Sequence, residues 1–212
     1  VPDACRTLAD WSFIGASTLE QIDLNQVTAI GEDCFYYCTA LKSVAVPDGV
    51  AQLSGAVFAY CTSLEQVTLP DTMQTLGDYC FYSDVALADI NIPDGVTQLG
   101  EKCFYNCGAL LELSLPASIT EIGEKALGYY TNADGKDDQR IDKLNIRNGG
   151  SAAVRAYERS WKHASLWKWL LAGGIAVAAA GGITAIVLVH RSRNRIRTTT
   201  RQASATKPGK RK

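Results

Sequence analysis

The chain has 212 residues, of which 47% are hydrophobic and 20% charged, and its formal net charge is −1 at pH 7. This length and hydrophobic content suffice for a sizeable core. The near-neutral total hides an asymmetry: residues 1–150 contain 21 acidic and 8 basic residues, a net charge of −13, whereas residues 190–212 contain nine basic residues and no acidic one. The negative charge argues against nucleic-acid binding by the first part, and the split suggests that the two ends occupy different compartments.

The N-terminal residues already follow a repeated pattern. The chain begins at Val1, without a methionine, and Leu8, Phe13, Leu19 and Ile22 match apolar positions found 22 to 23 residues further along. We therefore expect a processed or truncated chain, whose secretion signal and whose first repeats or N-terminal cap lie upstream.

The dominant feature is an apolar skeleton that recurs every 23 residues. Its columns are Phe35, Phe58, Phe81 and Phe104; Leu41, Leu64, Leu87 and Leu110; Val44, Val67, Ile90 and Leu113; Pro47, Pro70, Pro93 and Pro116; and Leu53, Leu76, Leu99 and Ile122. A period of this length predicts stacked units, none of which buries its apolar side alone.

Each unit contains signals for three short elements. Residues 41–46 alternate apolar with small or polar side chains, which predicts a half-buried strand ending at Pro47. Asp48 and Gly49 predict a tight turn in which glycine supplies the required backbone angles, and residues 50–53 predict a second extended piece. The spacing of Phe35, Cys38 and Leu41 predicts one helical turn. Stacking gives an α/β-type solenoid of about six units of 22–23 residues with a parallel strand ladder.

The copies IGEDCFYYCTALKSVAVP and LGEKCFYNCGALLELSLP resemble the Treponema-type, or BspA-like, leucine-rich repeats. The resemblance covers residue 8 to about residue 148. Ser54, Asp84 and Leu127 depart from it at the glycine, cysteine and phenylalanine positions. The resemblance implies a solenoid found mainly in secreted or surface proteins, often linked to adhesion, with no enzymatic activity and no cofactor in the repeats.

The outward positions of the predicted strands form the candidate partner-binding face, because they carry small or polar side chains in register. We call this set the strand face; it consists of Ser43, Gln66, Thr68, Asp89, Asn91, Glu112 and Ser114. The prediction is that a protein or glycan partner binds there. The alternative is that these residues are only the solvated surface of a spacer.

Seven cysteines occupy few positions of the repeat. Cys34, Cys80 and Cys103 share one column, Cys38, Cys61 and Cys107 share a second, and Cys5 precedes the array. Periodic placement predicts a small buried slot, because free cysteine is among the most buried residue types. The alternative is a disulfide between stacked neighbours, Cys38 with Cys61 or Cys80 with Cys103. Zinc is disfavoured, because no histidine lies nearby.

The last repeat is extended by a polar loop over residues 131–140. Asn132, Asp134, Asp137 and Asp138 could surround Ca²⁺, but the glycine position does not fit an EF-hand loop, so we expect a solvated surface loop. Ser151 is a predicted N-cap for a helix over residues 152–161 that covers the open end of the repeat stack.

The C-terminal part predicts a single membrane span. Residues 170–189 are twenty residues without charge, preceded by Trp167 and Trp169 and followed by Arg191, Arg193 and Arg195. The positive-inside rule then places the repeats outside and the basic tail in the cytoplasm. Within the span, Gly174, Ala178 and Gly182 predict pairing of two helices in a homodimer, unless small residues are simply common there.

These patterns together predict four regions: repeats over 1–150, a capping helix and juxtamembrane segment over 151–165, a transmembrane helix over 166–190 and a disordered cytoplasmic tail over 191–212. The histidines, His163 and His190, lie outside the array, so no Ser-His or Cys-His pair is expected within it. The predicted function is adhesion or recognition at the cell membrane. The alternatives are a structural stalk that displays an upstream domain, or a membrane-anchored enzyme whose catalytic part lies upstream.

Overall fold

The computed structural model describes residues 1–139, 143–146 and 150–160, the second range by its backbone only. The chain divides into two units, Val1–Lys162 and His163–Lys212, and only the first contains described residues. The strands in the described part are β1 (Thr7–Leu8), β2 (Ala29–Ile30), β3 (Ser43–Ala45), β4 (Gln52–Leu53), β5 (Gln66–Thr68), β6 (Thr75–Leu76), β7 (Gln98–Leu99), β8 (Glu112–Leu115), β9 (Glu121–Ile122), β10 (Tyr129–Thr131), β11 (Asp137–Gln139) and β12 (Lys143–Ile146). Residues 152–160 form a helix, α1.

Parallel strand pairs connect successive repeats, as the 23-residue period predicts. β3 pairs with β5 and β8 pairs with β12, each in parallel. The second extended piece forms its own parallel sheet in the order β4-β6-β7-β9, with Leu53, Leu76, Leu99 and Ile122 in register. Each rung therefore places the same repeat position above its counterpart, which keeps the apolar columns continuous.

Stacked phenylalanine rings occupy the centre of the repeats. The rings of Phe13, Phe35, Phe58, Phe81 and Phe104 lie 5.2 to 5.7 Å apart between neighbouring centroids and within 11° of parallel. Apart from Phe13, which is partly buried, these rings are fully buried. Burying a phenylalanine contributes about 1.5–3 kcal/mol, so this column is a main source of the stability of the stack.

The predicted helical turn is wrong, because the segment is a ladder of hydrogen bonds between repeats. The N–H groups of Asp33, Phe35 and Tyr37 donate to the carbonyls of Gly55, Val57 and Ala59, and the pattern recurs in the following repeats. In the four sets that begin at Asp33, Ala56, Tyr79 and Lys102, the first and last donors have φ between 49° and 63°, a left-handed backbone that a helical turn does not contain; they are Asp33, Tyr37, Ala56, Tyr60, Tyr79, Ser83, Lys102 and Asn106. We call these segments the turn ladder.

The first column of parallel strands, which consists of β3, β5, β8 and β12, is interrupted in one repeat. Leu87, Ile90 and Ile92 are buried as predicted, but the residues between β5 and β8 contain no strand of this column. The outward positions there are Asp89 and Asn91. Asp and Asn are depleted in strands because their side chains compete for backbone hydrogen bonds, which explains the local loss of regular pairing.

The proposed role of the turn glycines is also wrong. Gly49 and Gly95 are not among the residues with positive φ. Added Cβ atoms would instead lie 2.8 Å from the Thr28 side chain and 2.9 Å from the carbonyl oxygens of Asp71 and Met73. Glycine is needed at these positions because the preceding repeat approaches closely, and not because of an unusual turn conformation.

The extension after the last repeat is ordered as a hairpin. β10 and β11 pair antiparallel, and the Asn132 side chain accepts the N–H groups of Asp134 and Lys136 across the turn. Asp137 forms an ion pair with Lys125 at 2.8 Å. The loop therefore lies at the surface, as expected, and it is ordered as a hairpin attached to the last repeat.

Helix α1 begins at the predicted N-cap. The Ser151 hydroxyl accepts the N–H of Val154 at 3.1 Å, and Val154 is fully buried. Tyr157 accepts the N–H of Leu127 through its hydroxyl oxygen at 3.1 Å. Leu127 aligns with the phenylalanine column, so the helix contacts the C-terminal end of the turn ladder.

Among the residues that the structure describes, none belongs to a helix with the length and apolarity needed to cross a bilayer. The predicted span over 170–189, its flanking residues Trp167, Trp169, Arg191, Arg193 and Arg195, and the predicted pairing residues Gly174, Ala178 and Gly182 all lie outside the described residues, as do His163 and His190.

Candidate functional site

The strand face lies on paired parallel strands, except at Asp89 and Asn91, where the column is interrupted. Ser43 is opposite Gln66, and Thr68 is opposite Ala45, in the pairing of β3 with β5. Gln66, Thr68, Asp89, Asn91 and Glu112 are exposed, whereas Ser43 and Ser114 are half-buried. The alternating inward residues, such as Val44 and Val67, are buried, so the backbone holds the outward side chains in two columns.

Two features at the edge of this face lay outside the sequence prediction. Lys42 forms an ion pair with Glu20 at 2.6 Å immediately before β3. Leu111 occupies the equivalent position before β8 and is 46% exposed. The edge of the strand face therefore changes from charged to apolar along the stack.

Six of the seven cysteines lie in buried positions, as the packing interpretation predicts, and all seven are unpaired. The thiols of Cys38, Cys61 and Cys107 each donate to the carbonyl of the phenylalanine column residue one repeat earlier, at 3.1 to 3.2 Å. Burial raises the pKa of the Cys34 thiol to about 11, and the pKa values of Cys80 and Cys107 are raised well above the ordinary value for the same reason. The thiols of Cys38, Cys61 and Cys107 therefore act as buried hydrogen-bond donors.

Asp84 occupies the cysteine position in one repeat and is completely buried. Its Oδ1 accepts the N–H of Cys61 at 2.9 Å, while its Oδ2 makes no hydrogen bond. Burial raises the pKa of this carboxyl well above its usual value, and the Cys61 N–H only partly opposes the shift. A protonated Asp84 fits this site better than a carboxylate does.

A band of tyrosines on the turn ladder was missed by the sequence analysis. We call it the tyrosine strip; it consists of Tyr36, Tyr37, Tyr60, Tyr79, Tyr82 and Tyr105. Tyr37 stacks on Tyr60 with centroids 4.6 Å apart, and Tyr82 stacks on Tyr105 at 5.2 Å. The signal was present in the sequence, because a tyrosine follows the column phenylalanine by one or two residues in several copies.

The described residues offer no evident catalytic or metal-binding constellation. Among them, no group of three or more His, Cys, Asp or Glu side chains is arranged to hold a metal ion. The acidic loop residues Asp134 and Asp137 belong to the hairpin rather than to a ligand shell.

Comparison with protein families identifies the repeats. Residues 6–134 match the profile of the BspA type leucine rich repeat region, in six copies. A comparison with curated proteins returned no match.

Solved structures show the same kind of repeat. A leucine rich repeat protein of T. pallidum is 26% identical with a TM-score of 0.51, over 63% of this chain and 68% of that one. A leucine-rich repeat protein from Bacteroides ovatus is 23% identical with a TM-score of 0.47, over 70% and 45%, and a leucine rich cell surface protein from Faecalibacterium prausnitzii is 22% identical with a TM-score of 0.47, over 69% and 52%. The chain thus spans about half the length of the last two. By its six matched repeats, the chain belongs to the BspA-type leucine-rich repeat family.

Proposed function

We propose that the chain is a cell-surface adhesion or recognition protein that binds a protein or glycan partner through the strand face. The observation that supports this most strongly is the set of exposed polar side chains at outward strand positions, with Gln66 and Thr68 on β5, which pairs in register with β3, and Glu112 on β8, which pairs with β12. A fixed, wide and polar surface can make many simultaneous contacts with a large partner at little cost in side-chain ordering.

The proposal also includes the membrane attachment expected from the sequence. Residues 170–189 span the bilayer, with the acidic repeats outside and the basic tail in the cytoplasm. The uncharged run of twenty residues and the arginines that follow it support this orientation. Protease digestion of intact cells tests it directly.

The binding proposal is tested with the full chain. An array of extracellular matrix proteins and glycans is first screened for a ligand. The triple variant Gln66→Arg, Asp89→Arg and Asn91→Arg should then lose at least about tenfold in affinity, because three long cations disrupt the shape and charge of the face. Binding is measured by surface plasmon resonance, and circular dichroism monitors the fold.

The matched control is Gln52→Arg, Asp71→Arg and Gln74→Arg. These three residues are exposed and lie outside the strand face: Gln52 on β4, Gln74 directly before β6, and Asp71 in the turn between β5 and β6. The net charge changes by the same amount, because one aspartate and two amides are replaced in each variant. The control should bind like the parent chain. Unchanged affinity of the strand-face variant, or an equal loss of affinity in both variants, would contradict the proposal.

A further inference from the structure

A pocket opens within the tyrosine strip. Its volume is about 310 Å³, near the lower end of the range for ligand pockets, which suits one side-chain head group. It is lined by four phenol rings and two methyl groups, contributed by Tyr36, Tyr60, Tyr79, Tyr82, Ala56 and Ala59. The four rings form one chain of contacts, because Tyr60 lies 5.4 Å from both Tyr36 and Tyr82 between centroids, and Tyr82 lies 5.7 Å from Tyr79.

The pocket exists because one repeat has alanine where its neighbours have larger residues. Ala59 aligns with Tyr36 and Tyr82, one repeat before and one repeat after it. A tyrosine at this position would continue the column and fill the space. Ala59 is buried at the base of the strip, so the opening is a local interruption in a continuous band of rings.

The surroundings of the pocket favour a cation. Residues 43–101 contain eight acidic residues and no lysine or arginine; apart from the buried Asp84 and the paired Glu101, six of these acids contribute negative charge. The flanking cations, Lys42 and Lys102, are already paired with Glu20 and Glu101. Burial and neighbouring phenols raise the pKa values of Tyr36, Tyr60 and Tyr82, so these rings keep neutral hydroxyls and present electron-rich faces.

The chain itself shows a cation on one of these rings. The Lys102 Nζ lies 5.2 Å from the centroid of Tyr79 and 3.3 Å from its hydroxyl. Lys102 does not line the pocket, so its side chain does not fill the space between the four rings.

We propose that this pocket binds an arginine side chain from a basic segment of a partner protein. The planar guanidinium stacks on the tyrosine faces, and the acidic surroundings attract the segment that carries it. A sugar ring would also stack on tyrosine, but the lining offers it no amide or carboxylate for hydrogen bonding. The site belongs to the turn ladder and does not depend on the strand-face proposal.

The test uses the full chain and short peptides that differ in one side chain. The probes are a nine-residue glycine-rich peptide with a central arginine, and the same peptide with citrulline, the neutral analogue. Aromatic NMR signals of tyrosine are followed up to about 10 mM peptide, above the millimolar Kd expected of a single anchor. The arginine peptide should saturate, and the citrulline peptide should bind at least about tenfold more weakly.

Two variants locate the site. Ala59→Tyr should abolish arginine binding, because it fills the pocket with the residue that the column accepts in other repeats. Ala51→Tyr is the matched control at an exposed position away from the pocket lining and should bind like the parent. Tyr82→Phe should retain binding, because the ring face is kept.

Four results would overturn the proposal. They are no saturable arginine binding, equal binding of the citrulline peptide, unchanged binding by Ala59→Tyr, and saturation by methyl glucoside in place of the arginine peptide. The last result would assign the pocket to glycans. The NMR signals report on the tyrosines alone. The peptide test therefore stands even if the triple variant Gln66→Arg, Asp89→Arg and Asn91→Arg loses binding at the strand face.

Discussion

Asp84 shows how a single departure from the repeat sequence changes the hydrogen bonding and the charge of the core. Cysteine at this position donates to a phenylalanine carbonyl in three other repeats, whereas Asp84 accepts an N–H from Cys61 and leaves one oxygen unpaired. A buried carboxylate is strongly unfavourable without a partner, so the folded chain favours the protonated form.

This arrangement predicts a pH-dependent stability that Asp84→Cys removes. The folded chain holds a proton on Asp84 that the unfolded chain releases above its ordinary pKa of 3.8. Stability should therefore fall as pH rises from that value toward the raised folded pKa, by up to about 1.4 kcal/mol per pH unit. Urea unfolding of the variant over about three pH units, from about pH 4.5 to about pH 7.5, should show a flatter profile and higher stability at neutral pH.

The control for this experiment is Asp71→Asn, which removes an exposed carboxyl in the same region. The unfolding free energy of this control should change with pH as steeply as that of the parent chain. A variant with cysteine at position 84 that is as pH-dependent as the parent, or less stable at neutral pH, contradicts the interpretation.

At the scale of elements, the N–H groups of the turn ladder and those of the strand segments donate hydrogen bonds in opposite directions along the stack of repeats. The N–H groups of Phe35 and Phe58 point to the following repeat, whereas those of Lys42 and Glu65 point to the preceding one. The turn ladder therefore ends in N–H groups at the last repeat, where Leu127 is buried. Helix α1 satisfies this donor with the hydroxyl of Tyr157, which explains why a phenol lies in a mostly buried position.

Tyr157→Phe should therefore loosen the last repeats. Removal of the acceptor leaves the Leu127 N–H unsatisfied, at a cost of about 1–3 kcal/mol. Because repeats contact chiefly their neighbours, amide exchange should accelerate near Phe104 and Leu127 and stay unchanged near Phe35. Hydrogen exchange followed by mass spectrometry measures this.

Tyr37→Phe serves as the matched control, because Tyr37 is 46% exposed and its loss of a hydroxyl should not alter exchange in any repeat. Uniform acceleration along the array in Tyr157→Phe would indicate one cooperative unit and contradict local fraying. No acceleration would mean that the Tyr157 hydroxyl does not stabilise the end of the ladder.

At the scale of the whole molecule, the charge distribution is the main clue to orientation. Residues 1–150 hold a net charge of −13 from 21 acidic and 8 basic residues. Residues 190–212, which follow the uncharged run, contain nine basic residues and no acidic one. In the proposed orientation the basic flank is retained in the cytoplasm, and the repeats and both candidate surfaces lie outside the cell.

Protease added to intact cells should therefore degrade the repeats and spare the tail. An epitope placed after Lys212 should remain as a small membrane-bound fragment, and an epitope at Val1 should be lost. Replacing Arg191, Arg193, Arg195 and Arg197 by glutamate should reduce the fraction of chains in this orientation. Release of the full chain by carbonate washing, or protection of the Val1 epitope in intact cells, contradicts the proposal.

The sequence alone determined the repeat, its period and its buried columns, because burial recurs wherever an apolar side chain returns at a fixed position. Phe35 and Phe58 could be placed in the core for that reason, and Ser151 could be identified as an N-cap from local chemistry. The left-handed residues of the turn ladder could not be predicted, since Tyr37 and Tyr60 are ordinary residues whose backbone is held by hydrogen bonds to another repeat. Likewise, only the tertiary structure brought Tyr36 and Tyr82 to one pocket above Ala59, because the space depends on contacts between repeats and not on the residues of any one copy.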